Sequence, residues 1–98
     1  MNYALDIQPE AELDIQQAHA WHEDQQHGLG ERFYDELLAC FDHITADPLL
    51  RRVTYRGLRK RKLDRFPYLV FYRVAGETIS IVCVVHAARH PWRWRRRA

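Results

Sequence analysis

The stretch from Arg65 to Trp94, RFPYLVFYRVAGETISIVCVVHAARHPWRW, constrains the fold of this chain more than any other. Residues 68–74 and 78–85 are rich in β-branched and aromatic side chains, and only Ala75-Gly76-Glu77 lies between them. Two such runs around a turn-length segment predict a β-hairpin, with Gly76 free to take positive φ. Pro67 fixes the backbone just ahead of the first strand. The second strand leads straight into His86-Ala87-Ala88-Arg89-His90-Pro91-Trp92-Arg93-Trp94. Imidazoles, guanidiniums and indoles are thus placed at the end of a rigid apolar support. Residues 95–97, all arginine, read as a solvated basic tail.

Upstream, Tyr3-Ala4-Leu5-Asp6-Ile7 alternates with the period of a half-buried strand. Pro9 and Glu10 suit the first turn of a helix. Ala11, Ile15, Ala18 and His22 then recur at helical spacing, flanked by Leu13 and Trp21, and residues 25–28 close this element. A second helix begins near Leu29 or Gly30, with Phe33, Leu37, Cys40, Phe41 and Ile44 on one face. Asp47-Pro48 ends it. So short a loop between two helices predicts an antiparallel hairpin. A basic strand follows at residues 59–63, giving the order β-α-α-β-β-β. Strands from both ends with a helical hairpin between them make an α+β fold, expected here as one domain over residues 1–98.

At 98 residues and 47% apolar content, the chain has enough material for one core and is not of the disordered class. No apolar run approaches the ~20 residues of a membrane helix. The N-terminus, with Asp6, Glu10 and no early Lys or Arg, does not read as a signal peptide. Cys40 and Cys83 sit among apolar neighbours and read as small buried thiols in a reducing cytoplasm.

The net charge of +2 conceals a split. Residues 1–50 hold Arg32 against eleven acidic side chains, −10; residues 51–98 hold fourteen basic against Asp64 and Glu77, +12. Such asymmetry predicts a polyanion or an acidic protein as partner of the C-terminal half, or pairing of the halves within the fold.

His19-x-x-His22, with His27 nearby, lacks the third fixed ligand that a closed metal site needs, and reads as a surface or boundary pair. No metal or cofactor is expected. There is no glycine-rich phosphate loop and no nucleophile elbow. Ser80 and Cys83 lie mid-strand, away from the exposed turn that nucleophilic catalysis prefers. What remains is a set of cations and imidazoles around the hairpin, led by Arg59, Arg61, Arg73, His86, Arg89 and His90, with Tyr68, Tyr72, Trp92 and Trp94. Metal-free RNA cleavage needs proton transfer and cations on the developing charge, which His and Arg supply. A basic binding face has the same composition. Trp92 reads as a packing residue, and Trp94 is open between packing and binding.

Several of these features coincide with one family. The element order, the Asp47-Pro48 stop, the block Arg65-Phe66-Pro67-Tyr68-x3-Tyr72-Arg73-Val74 and the block His86-x-x-Arg89-x-Pro91-x-x-Trp94 together resemble the RelE/ParE superfamily of bacterial type II toxin–antitoxin toxins. The resemblance implies a helical hairpin packed on a small, mostly antiparallel sheet. It also implies a cytoplasmic toxin with a cognate antitoxin encoded beside it, reaching operator DNA only through that antitoxin.

RelE-like members cut mRNA on the ribosome, and ParE-like members poison DNA gyrase. The nucleases place an Arg early in the strand where this chain has Leu69, and Ala87 and Ala88 follow His86 here. The strand-end His with a following Arg resembles the ParE type. The expectation is therefore a ParE-like gyrase inhibitor. A ribosome-associated mRNA endonuclease and an inactive member that only binds its antitoxin are the alternatives. For the endonuclease, His86 would move protons while Arg73 and Arg89 stabilise the transition state. Target or antitoxin binding would fall to Arg59, Arg61, Arg65, Arg89, His90 and Trp94.

Overall fold

The computed structural model describes residues 2–89 and 92–98. The expectations placed on His90 and Pro91 lie outside the described residues. Strand β1 (Ala4–Ile7) is followed by helices α1 (Pro9–Gln25) and α2 (Leu29–Ala46). Strands β2 (Arg59–Lys62), β3 (Tyr68–Ala75) and β4 (Thr78–His86) come next, then a short helix α3 (Arg93–Arg97). The sheet order is β1-β4-β3-β2, with β1 parallel to β4 and the other pairs antiparallel. The expected α+β arrangement is present, with α3 added at its end. Among the described residues no helix is long and apolar enough to cross a membrane.

Local chemistry sets the helix limits. Pro9 at the start of α1 gives up an N–H that would lack a partner anyway, and Glu10 and Glu12 face the positive end of the helix. Gly28 and Gly30 open α2, and their N–H groups donate to the Glu23 carboxylate at 3.0 and 3.1 Å. Those bonds hold the Glu23 carboxyl below its ordinary value. Asp47, at φ −152° and ψ 76°, leaves the helical region because Pro48 follows.

The β3–β4 hairpin closes tightly, with Ala75 opposite Thr78 and Gly76 at φ +59°. Midway, Phe71 pairs with Cys83 but Tyr72 pairs with Ile81, so Val82 is the extra residue of a β-bulge. Strict alternation would have put Val82, Val84 and His86 on one face, and Ile79, Ile81, Cys83 and Val85 on the other. The bulge overturns that. Ile79, Ile81 and Val84 join the helix-covered core with Phe33, Leu37, Phe41, Ile44, Val70 and Tyr72. Val82, Cys83 and Val85 form a second cluster on the opposite face with Leu58, Phe71 and Trp94. His86, two residues beyond Val84, sits on the helix side.

Where β1 stops at Ile7, the edge of β4 would be left open. Asp14 of α1 closes it by accepting the Val84 N–H at 3.0 Å, while Arg97 Nη1 donates to the Val82 carbonyl at 3.2 Å. Arg97 is therefore no part of a solvated tail. Its side chain is 16% exposed, and it grips both Asp14 oxygens and Glu10. Of the two indoles, Trp92 departs from its expected packing role, and Trp94, left open between packing and binding, is the one that packs. Trp92 is 61% exposed, whereas Trp94 stacks on Phe71 with centroids 4.7 Å apart and planes 11° off parallel.

Candidate functional site

The expected site residues divide between two faces and two ends of the sheet. Arg59 and Arg61 pair with Tyr72 and Val70, so they turn toward the helix side. Lys60 and Lys62, opposite Phe71 and Leu69, project from the other face and are exposed. The alternation of Arg and Lys along the basic strand already contains that split. Arg65 lies in the bend after β2, where its backbone N–H donates to Glu36. Arg59 is engaged by the Arg51 carbonyl.

Arg73 and His86 occupy opposite ends of the hairpin. Arg73 faces Ser80, while His86 faces Tyr68. Six residues of strand separate Ser80 from His86, roughly 20 Å at about 3.3 Å per residue. The Arg73 guanidinium donates to the carbonyls of Arg56 at 3.3 Å and Ala98 at 3.0 Å, beneath α3. His86 Nδ1 accepts the backbone N–H groups of Ala88 and Arg89, both at 3.1 Å, so the ring shapes the turn after β4. Arg89, carried by that turn, lies 4.1 Å over the Trp21 ring. The structure thus brings together His86 and Arg89 but not Arg73.

Sequence reasoning missed Asp14 and the pair Arg93 and Arg97. Asp14 is 4% exposed and accepts from Val84, Arg93 and Arg97. The signal was available, since a carboxylate four residues before Ala18 sits on the buried stripe of α1. The pair His19 and His22 also divides. His22 is 5% exposed, holds the Ala18 carbonyl at 2.6 Å and stacks on Phe33, so it belongs to the core rather than the boundary. His19 stays nearer the surface, 3.3 Å from Glu31. Both cysteines are buried and free. Burial pushes the Cys40 thiol up to about 11 and the Cys83 thiol up to about 12, which keeps them protonated and unreactive.

A basic, partly apolar rim runs from the loop before β2 over the sheet face opposite α1 and α2 to the end of β4. Leu49, Leu50 and Val53 are about half exposed or more, beside Arg51 and Arg52. Tyr55-Arg56-Gly57-Leu58 makes a tight turn with φ +48° and +81° at its centre and buries Leu58 against Phe71. Arg95 lies 5.2 Å over Trp94. A face of this kind suits docking to a large acidic partner.

This fold is shared with solved structures. A chain of the chromosomal ParDE TA system from P. aeruginosa superposes with a TM-score of 0.71 at 18% identity, over 86% of this chain and 95% of that one. An arginine-to-alanine double mutant of the E. coli toxin RelE in the free state gives 0.69 at 18% identity, over 100% of this chain and 95% of that one. No curated protein matches the sequence. The family model for the ParE toxin of the type II toxin–antitoxin system, parDE, matches residues 5–91, and the chain belongs to that family.

Proposed function

We propose that this protein arrests bacterial growth by binding DNA gyrase through its basic C-terminal half, and that a cognate antitoxin neutralises it. The observation that carries the reading is the match of residues 5–91 to the ParE toxin family, and the separation of Arg73 from His86 supports it. A nuclease centre needs its proton-transfer group and transition-state cations around one phosphate, within a few Å of each other. Here the His86 ring holds a turn in place, and Arg73 holds down the C-terminus. What remains exposed is a rim of Arg and Lys interleaved with apolar side chains, the composition of a protein-docking surface. Antitoxin binding fits the same charge. An acidic segment that is disordered when free would be steered to the +12 half and fold upon it.

The test is expression in a bacterial host, followed by a supercoiling assay with purified gyrase and a gel of cellular RNA. Growth arrest, lost supercoiling and intact RNA are the expected results. Cleaved RNA with unaffected gyrase would replace this reading by the endonuclease. Normal growth at verified expression, with the neighbouring gene product still bound, would reduce the protein to an inert antitoxin binder.

A further inference from the structure

We propose that the pocket between α1 and the His86 end of the hairpin is a binding subsite for a phosphate group. It goes beyond the toxin reading, and either can fail without the other. The cavity measures about 160 Å³, with Asp14, Gln17 and Trp21 of α1 on one wall and Tyr68, Arg89 and Arg93 among the rest of its lining.

Two tyrosines of β3 show why the site asks for a ligand. Tyr68 and Tyr72 both belong to the helix-covered core, and each is more than nine-tenths buried. The Tyr72 hydroxyl donates to the Pro48 carbonyl at 3.0 Å. The Tyr68 hydroxyl makes no hydrogen bond to any described residue, although its ring is fixed between Phe33 at 5.1 Å and His86 at 5.3 Å. Among the described residues no sealed polar atom lacks a partner, so this hydroxyl opens into the cavity it lines. A hydroxyl that reaches a cavity without a protein partner is a position for water or a ligand oxygen.

The charge around it favours an anion. Arg89 lies over Trp21 and has no carboxylate partner among the described residues. Arg93 shares Asp14 with Arg97, at 3.2 Å and 2.9 Å respectively. Asp14 also accepts the Val84 N–H, so its lone pairs are used within the protein and its charge is offset. Glu10 is turned toward Arg97. One positive charge more than the local carboxylates remains on Arg89, Arg93 and Arg97. Burial raises the Tyr68 hydroxyl's pKa while Arg89 and Arg93 pull it down, which places both cations within electrostatic reach of that oxygen.

A hydroxyl donor and two guanidiniums lining one cavity suit a phosphate, which offers more acceptor oxygens than a carboxylate. The volume admits a phosphate. Free phosphate and the terminal phosphate of a nucleotide present the same chemistry here.

The test is a titration of the full chain with inorganic phosphate and, separately, adenosine 5′-monophosphate, followed by amide and indole NMR shifts at ionic strength matched with sodium chloride. Saturable shifts should centre on the Trp21 indole and the amides of Ala88 and Arg89. Tyr68→Phe should weaken binding about tenfold, the scale of one hydrogen bond to a charged group. Its spectrum should stay dispersed, because the hydroxyl holds nothing inside the protein. Arg89→Gln should weaken binding independently. Exclusion of the nucleotide would identify free phosphate as the ligand; equal or tighter nucleotide binding would identify a phosphate terminus. Shifts that follow ionic strength alone, or unchanged phosphate affinity in Tyr68→Phe and Arg89→Gln, would overturn the site.

Discussion

On one face of the sheet, α1 and α2 lay Phe33, Leu37, Phe41 and Ile44 over Val70, Tyr72, Ile79 and Ile81; on the other, Phe71 and Val85 are covered by Leu58, Trp94 and Ala98. The first cover consists of long helices whose apolar stripes have nowhere else to go. The second is a loop and a five-residue helix, too short to be stable alone. It is held from outside, by Trp94 on Phe71 and by Arg97 on Asp14. One face is stabilised chiefly by apolar area, while the other depends on a few specific contacts reaching around an open strand edge. The exposed cations Arg56, Lys60, Lys62 and Arg95 lie around the second face, so the docking proposed above falls on the more weakly held side.

Phe33→Ala tests the stronger face most severely. Phe33 is fully buried, and its removal should cost about 3–5 kcal/mol in urea unfolding. A loss near 1 kcal/mol would mean that the helices are not the principal cover.

Asp14→Ala tests the link between the two faces. It leaves the largely buried Arg97 and the Val84 N–H without their carboxylate, a loss of roughly 3 kcal/mol. The near-ultraviolet signal of stacked Trp94 should fall as α3 comes away. An unchanged signal would show that indole stacking alone retains the helix.

Trp94→Ala should be milder, roughly 1–2 kcal/mol, because the indole is only partly buried and the surrounding loop can relax. Amide exchange should quicken in α3 and around Leu58 while α2 keeps its protection. Uniform quickening would show that the two faces unfold as one unit.

The smallest effect expected is the acid response of the helical hairpin. Glu23 has a depressed pKa in the folded state because Gly28 and Gly30 donate to it. Its contribution is therefore complete above the unfolded carboxyl value and is lost as pH falls through the lower folded value. Glu23→Gln should make stability less sensitive to acid across that window, read as urea midpoints at neutral and acid pH. An identical acid slope would remove Glu23 from the account.

Much of the helix-covered face was legible in the chain. Ala11, Ile15 and Ala18 on α1, and Phe33, Leu37, Cys40, Phe41 and Ile44 on α2, carry a periodicity that burial alone explains, and all of them are buried. The hairpin was legible too, since residues 68–74 and 78–85 flank a turn with glycine at its centre. The site was legible only in part. His86 and Arg89 are neighbours in sequence and remain neighbours in space, whereas Arg73 was grouped with them by type and lies at the far end of the strand. Arg97, read as solvated, is tied down because Asp14, eighty-three residues away, offers a buried carboxylate.

The sequence by itself determined the element order, the helical hairpin and the gathering of positive charge in the second half, because these rest on local periodicity and composition. Tertiary structure decided which side chains share a face beyond Ile81. One extra residue at Val82 reverses the parity of everything after it, and periodicity cannot locate that residue. Tertiary structure also decided that the last arginines fold back. A strand edge left open where β1 ends needs donors and acceptors to satisfy it, and only the assembled sheet brings Asp14 and Arg97 to that edge.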